Sequence, residues 1–111
     1  MTDPGRTDGQ FHEQTLRVAG THPALPGHFP GAPVVPGVVL LDHVLRTAEA
    51  WLGRELHAAA LPQCKFLAPL LPDRTALVRL QLQGERLRFE LSEAGQLLAR
   101  GEFVLAGERA P

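Results

Sequence analysis

Between Gly27 and Gly37 the chain reads Gly-His-Phe-Pro-Gly-Ala-Pro-Val-Val-Pro-Gly, and this run limits the fold more than any other stretch. Pro30, Pro33 and Pro36 recur every third residue, remove backbone donors and hold φ near −65°, which excludes a helix interior or a central strand. Gly31 and Gly37 beside them permit turns or close backbone approach. The result is a rigid loop of the kind that carries function rather than slack. It holds His28 and runs directly into Val38-Val39-Leu40-Leu41-Asp42-His43-Val44. Histidine on a loop and a carboxylate on the following helix are the residue types that proton transfer requires.

With 111 residues the chain is expected to form one domain, with little core to spare, so that a second subunit would add to its stability. The net charge of −1 and the absence of Lys/Arg clusters interleaved with aromatics argue against nucleic acid as a partner. The longest apolar run, Val34 to Leu41, is broken by Pro36 and too short to cross a bilayer, and the N-terminus is polar. A soluble, cytoplasmic protein without membrane contact is the expectation. The single cysteine, Cys64, excludes an internal disulfide framework. His12, His22, His43 and His57 show no metal-ligand spacing, and no metal site is expected.

Residues 1–10 are polar and read as a flexible tail, as do residues 107–111. The intervening 11–106 are expected to form the domain. From Phe11 to Ala19, His12, Gln14, Leu16 and Val18 fall on one side of an extended strand. Gly37 to Leu52 reads as a helix: Val38, Leu41, Val44, Leu45, Ala48 and Leu52 recur at helical spacing. Val39, Leu40 and Trp51 spread apolar character round most of its circumference, so the helix should be largely buried. Gly53 stops it.

Extended segments follow. The first lies within Leu56 to Leu71, where Pro69 should mark an edge or bulge. Thr75–Gln83 places Ala76, Val78, Leu80 and Leu82 on one face; Arg86–Leu91 places Leu87, Phe89 and Leu91 inward; Gln96–Leu105 does the same with Leu97, Ala99, Phe103 and Leu105. The order predicts an α+β arrangement in which one helix lies on a curled antiparallel meander.

The run from His28 to Gly37 resembles the His-Phe-Pro-Gly-x-Pro-x-x-Pro-Gly loop of the hot-dog-fold 3-hydroxyacyl-acyl-carrier-protein dehydratases of the FabZ and FabA type, matching every fixed position. Asp42 stands where that family has its helix acid. Lys65-Phe66, Pro69 and Pro72-Asp73 match a downstream motif in part, since Asp73 follows Pro72 directly where the family often has an intervening glycine. The resemblance implies a five-stranded antiparallel sheet wrapped round a central helix. It further implies a homodimer in which the loop histidine of one subunit works with the helix acid of the other, on acyl-carrier-protein or coenzyme A thioesters and without a cofactor.

For such a dehydration His28 suits proton abstraction from C2, with an unperturbed pKa of about 6.5. Gly37 and Val38 begin the helix whose free N–H groups suit the thioester oxygen. Phe29, Pro30, Gly31, Pro33 and Pro36 shape the loop. Asp42 suits the departing hydroxyl if it is protonated or holds a water, and burial against Val38, Val39 and Leu45 would favour the protonated form. Arg46, where the family has Gln, lies within reach of an intrahelical ion pair that favours the charged form. Two other readings compete: a hot-dog thioesterase in which the helix carboxylate activates water, and an inactive acyl-binding or partner subunit.

Overall fold

The computed structural model describes residues 10–20 and 34–106. His28, Phe29, Pro30, Gly31 and Pro33 lie outside those residues, as do the two expected tails apart from Gln10, which opens the first strand. The elements are β1 (Gln10–Arg17), α1 (Gly37–Leu52), β2 (Ala58–Phe66), β3 (Thr75–Gln83), β4 (Arg86–Glu93) and β5 (Gln96–Leu105).

Among the described residues they form the five-stranded antiparallel sheet and one helix that the resemblance implies, in the order β1-β3-β4-β5-β2. The meander holds only for β3 to β5. After α1 the chain runs to the far edge beside β5, and β3 returns to pair with β1. Short turns dictate the local pairing: Gly84 and Gly95 take positive φ between β3, β4 and β5. No such signal exists for β1 and β2, whose partners are distant in sequence.

The alternation in β3 and β4 reads out directly as burial. Ala76, Val78, Leu80, Leu82, Leu87, Phe89 and Leu91 are buried and face α1, because pairing aligns Val78 with Leu91 and Leu80 with Phe89. In β5 the expected phase slips. Leu91 pairs with Ala99 but Ser92 pairs with Leu97, so Leu98 is the extra residue of a bulge. Leu98 is consequently the buried residue, while Leu97 is only partly covered. The Leu98 carbonyl accepts the N–H groups of Leu67 and Ala68, which ties the chain leaving β2 to this bulge. Pro69 therefore lies beyond β2. The proline inside β2 is Pro62, on an edge strand and within the register shift between Ala60 and Gln63, where a missing donor costs least.

The helix runs over the residues its periodicity predicts and ends at Gly53, whose N–H meets the Glu49 carbonyl at 2.8 Å with φ 71°. Its buried residues are Val39, Leu40, Val44, Thr47 and Ala48. Of the expected stripe, Val44 and Ala48 are fully buried and Leu41, Leu45 and Leu52 pack half-buried against the core, while Val38 is turned out at 72% exposed. A helix lying on one sheet covers one side of itself, so residues at the margin of its apolar stripe keep part of their surface exposed.

Candidate active site

Helix α1 begins without a side-chain cap: Pro36 occupies the N-cap with ψ 145°. Its carbonyl accepts from Val39 and Leu40 at 3.0 and 3.2 Å, and among the described residues no backbone carbonyl meets the N–H of Gly37 or Val38. Both point out of the positive end of the helix dipole.

Beside them lies an apolar groove of about 420 Å³, walled by Val34, Val35, Leu40, Phe66, Ala68 and Leu70 and floored at one end by Gly37. The Phe66 ring leans over Gly37 so closely that a Cβ there would stand 2.7 Å from its Cζ. The absent side chain thus serves two purposes, admitting Phe66 and leaving the N–H approachable. Phe66 is half-exposed and was not among the residues that sequence reasoning placed in the site; its position in the Lys65-Phe66 pair was the available signal. Depressions of about 610 and 690 Å³ lie elsewhere along the strands. Their greater size does not make them the better site, because charged side chains such as Arg88 and Glu90 line both and neither touches a helix terminus.

Asp42 departs from expectation. It lies on the exposed face of α1 one turn below Val38, and Arg46 Nε donates to its Oδ2 at 2.8 Å. The burial against Val38, Val39 and Leu45 expected from the sequence is absent among the described residues, since α1 turns Val38 and Asp42 outward while Val39 packs inward. The hydrogen bond and the charge of Asp42 raise the pKa of the Arg46 guanidinium. His28 and the rest of its loop fall outside the described residues, so the structure joins Gly37, Val38 and Asp42 on one end of a helix without setting His28 beside them. Burial raises the Cys64 thiol, which disfavours the thiolate.

The architecture is a hot-dog fold. The chain belongs to the ApeI-like family of dehydratases, the ApeI dehydratases, whose sequence pattern matches residues 5–102. Among solved structures it is similar to the dehydratase heterocomplex ApeI:P from Xenorhabdus doucetiae, with a TM-score of 0.78 and 24% identity over 95% of this chain and 93% of that one. A 3-hydroxyacyl-[acyl-carrier-protein] dehydratase FabZ from Chloroflexus aggregans is 32% identical over 103 residues, which cover 80% of this chain and 70% of the relative. Its counterpart from Haemophilus influenzae (strain 86-028NP) is 27% identical over 105 residues, covering 87% and 70%. Other FabZ relatives are spanned over 49 to 66% of their length. The same fold carries a 1,4-dihydroxy-2-naphthoyl-CoA thioesterase from Synechocystis, at a TM-score of 0.62 and 22% identity, with 92% of this chain and 89% of that one covered.

Proposed function

We propose that the protein dehydrates 3-hydroxyacyl thioesters to trans-2-enoyl thioesters, as a single hot-dog domain over residues 11–106 working in fatty-acid or related acyl-chain biosynthesis in the cytoplasm. The observation that carries this reading is an apolar groove that reaches Gly37, beside the first N–H groups of α1, in a chain of a dehydratase family. An acyl chain in the groove brings its thioester oxygen to those donors, which stabilise the charge that develops when a C2 proton leaves. His28 is the base. Asp42, directly or through a water, returns a proton to the departing hydroxyl. The loop residues Phe29, Pro30, Gly31, Pro33 and Pro36 hold the histidine.

The substrate is carried by acyl carrier protein or coenzyme A. The exposed Val38 and the uncovered edges of Leu41 and Leu45 beside Asp42 support a homodimer in which a second copy covers that side of α1 and completes the site. A dimer also supplies the burial that Asp42 lacks within one chain.

The Arg46–Asp42 hydrogen bond favours a second reading, a subunit that binds acyl thioesters and does not turn them over, because it engages a carboxylate oxygen that the reaction needs. Hydration of a short trans-2-enoyl thioester on both carriers, followed by loss of enoyl absorbance, separates the readings. Turnover by the native protein that vanishes in His28→Ala supports the dehydratase. Binding of enoyl thioester with no turnover on either carrier, and no free acid released, supports the binding subunit; release of free acid supports a thioesterase.

A further inference from the structure

The connection between β2 and β3 grips both flanks of the segment that carries His28. On the entry side, Asp73 N–H donates to the Val18 carbonyl at 2.8 Å, and Gly20 N–H donates to Asp73 Oδ1 at 3.0 Å. Arg17 Nη2 donates to the same oxygen, also at 3.0 Å. On the exit side, Val35 N–H donates to the Leu70 carbonyl at 2.8 Å. The connection is itself held, through the Leu98 carbonyl at one end and an Arg74–Glu93 ion pair of 2.6 Å at the other. Leu70 is 1% exposed, so this anchor belongs to the core.

Asp73 adopts φ 67°, a left-handed conformation that Asp and Asn tolerate better than other side chains. The approach of Gly20 is equally specific, since a Cβ on Gly20 would stand 2.6 Å from Asp73 Oδ2. A backbone twist at one residue and a bare Cα at the other thus serve one hydrogen bond. The exposed Arg17–Asp73 pair contributes little to stability by itself, which points to geometry rather than stability as what the carboxylate supplies.

We propose that Asp73 is a positioning residue of the dehydration: its Oδ1 fixes Gly20, and with it the direction in which the chain enters the segment bearing the base, while Leu70 fixes the exit. This rests on the reading of His28 as base. Misplacing a base by about 1 Å costs on the order of a hundredfold in rate while substrate binding in the groove persists, so the defect falls on kcat and spares KM.

The test compares Asp73→Gly, Asp73→Asn and Gly20→Ala in enoyl-thioester hydration. Asp73→Gly keeps φ 67° and the N–H to Val18 while removing the carboxylate. It is expected to lower kcat at least tenfold, with KM within about twofold of native and the melting temperature little changed. Asp73→Asn keeps the acceptor and the backbone conformation and is expected to retain native kcat. Gly20→Ala displaces the carboxylate and should lower kcat as Asp73→Gly does, yet add nothing further in the Asp73→Gly background, where its methyl has room. Native kcat in Asp73→Gly, equal loss in Asp73→Asn, or additive losses in the double variant would each overturn the proposal. If Asp73→Gly does not fold, the contrast of Gly20→Ala with Asp73→Asn decides it. A native protein that hydrates, an inactive His28→Ala and a fully active Asp73→Gly refute the role of Asp73 alone; activity surviving in His28→Ala refutes the reading beneath it.

Discussion

The ring of Phe66 rests on the Cα of Gly37 at the first residue of α1, in the space that any side chain at position 37 would occupy. Gly37→Ala forces the ring aside and sets a methyl group over the N–H that the proposed mechanism uses. The ring is half-exposed and free to turn, so the expected fall in melting temperature is small. The expected fall in kcat/KM is at least tenfold. Adding Phe66→Leu restores the melting temperature and leaves kcat/KM low, because the methyl remains. Calorimetry and the hydration assay on both variants check this.

Asp42 and Arg46 form an exposed pair one turn apart on α1. Pairs of this kind contribute about 0.3–0.5 kcal/mol, so Asp42→Asn and Arg46→Gln should each move the melting temperature by no more than about 3 °C. Their effects on turnover differ. Asp42→Asn removes the proton donor and lowers kcat at least a hundredfold. Arg46→Gln frees the carboxylate oxygen and raises kcat. Steady-state kinetics of the two variants side by side distinguishes these outcomes.

Glu102 is largely covered on the outer face of β5 by Arg86 and Arg88, both of which donate to it. Those hydrogen bonds, Arg86 first, hold its carboxyl below the ordinary glutamate range. A carboxyl whose folded pKa is depressed contributes stability above its unfolded pKa of about 4.3, and loses it as pH falls through the lower folded value. The native protein should therefore lose more melting temperature than Glu102→Gln between pH 6 and about pH 3. Equal losses in the two proteins would show that the arginines do not act through this carboxyl.

Gly101 faces Phe89 across the β4–β5 pair, and a Cβ there would stand 2.6 Å from the Phe89 Cζ and 2.7 Å from the Gln63 carbonyl oxygen. One of those neighbours is backbone and cannot rotate away. Gly101→Ala should cost about 1–3 kcal/mol, seen as a fall of at least about 4 °C in melting temperature. Phe89→Leu in the same chain recovers only the share due to the ring.

Local rules made much of this protein legible without coordinates. The alternation of Thr75–Gln83, the helix from Gly37 to Leu52 and its stop at Gly53 rest on periodicity and on single-residue conformations, which depend on neighbours in the sequence. The run from His28 to Gly37 was readable for the same reason, and the dehydratase family that it resembles accords with the family match. Tertiary structure alone decided the placement of β2 beside β5 and of β1 beside β3, since pairing between distant strands is set by how all apolar faces are covered at once. It also decided the bulge that buries Leu98 in place of Leu97, the outward turn of Val38 and Asp42, and the meeting of Asp73 with Gly20. In each case residues far apart in the chain compete for the same space, and no short stretch of sequence records which of them prevails.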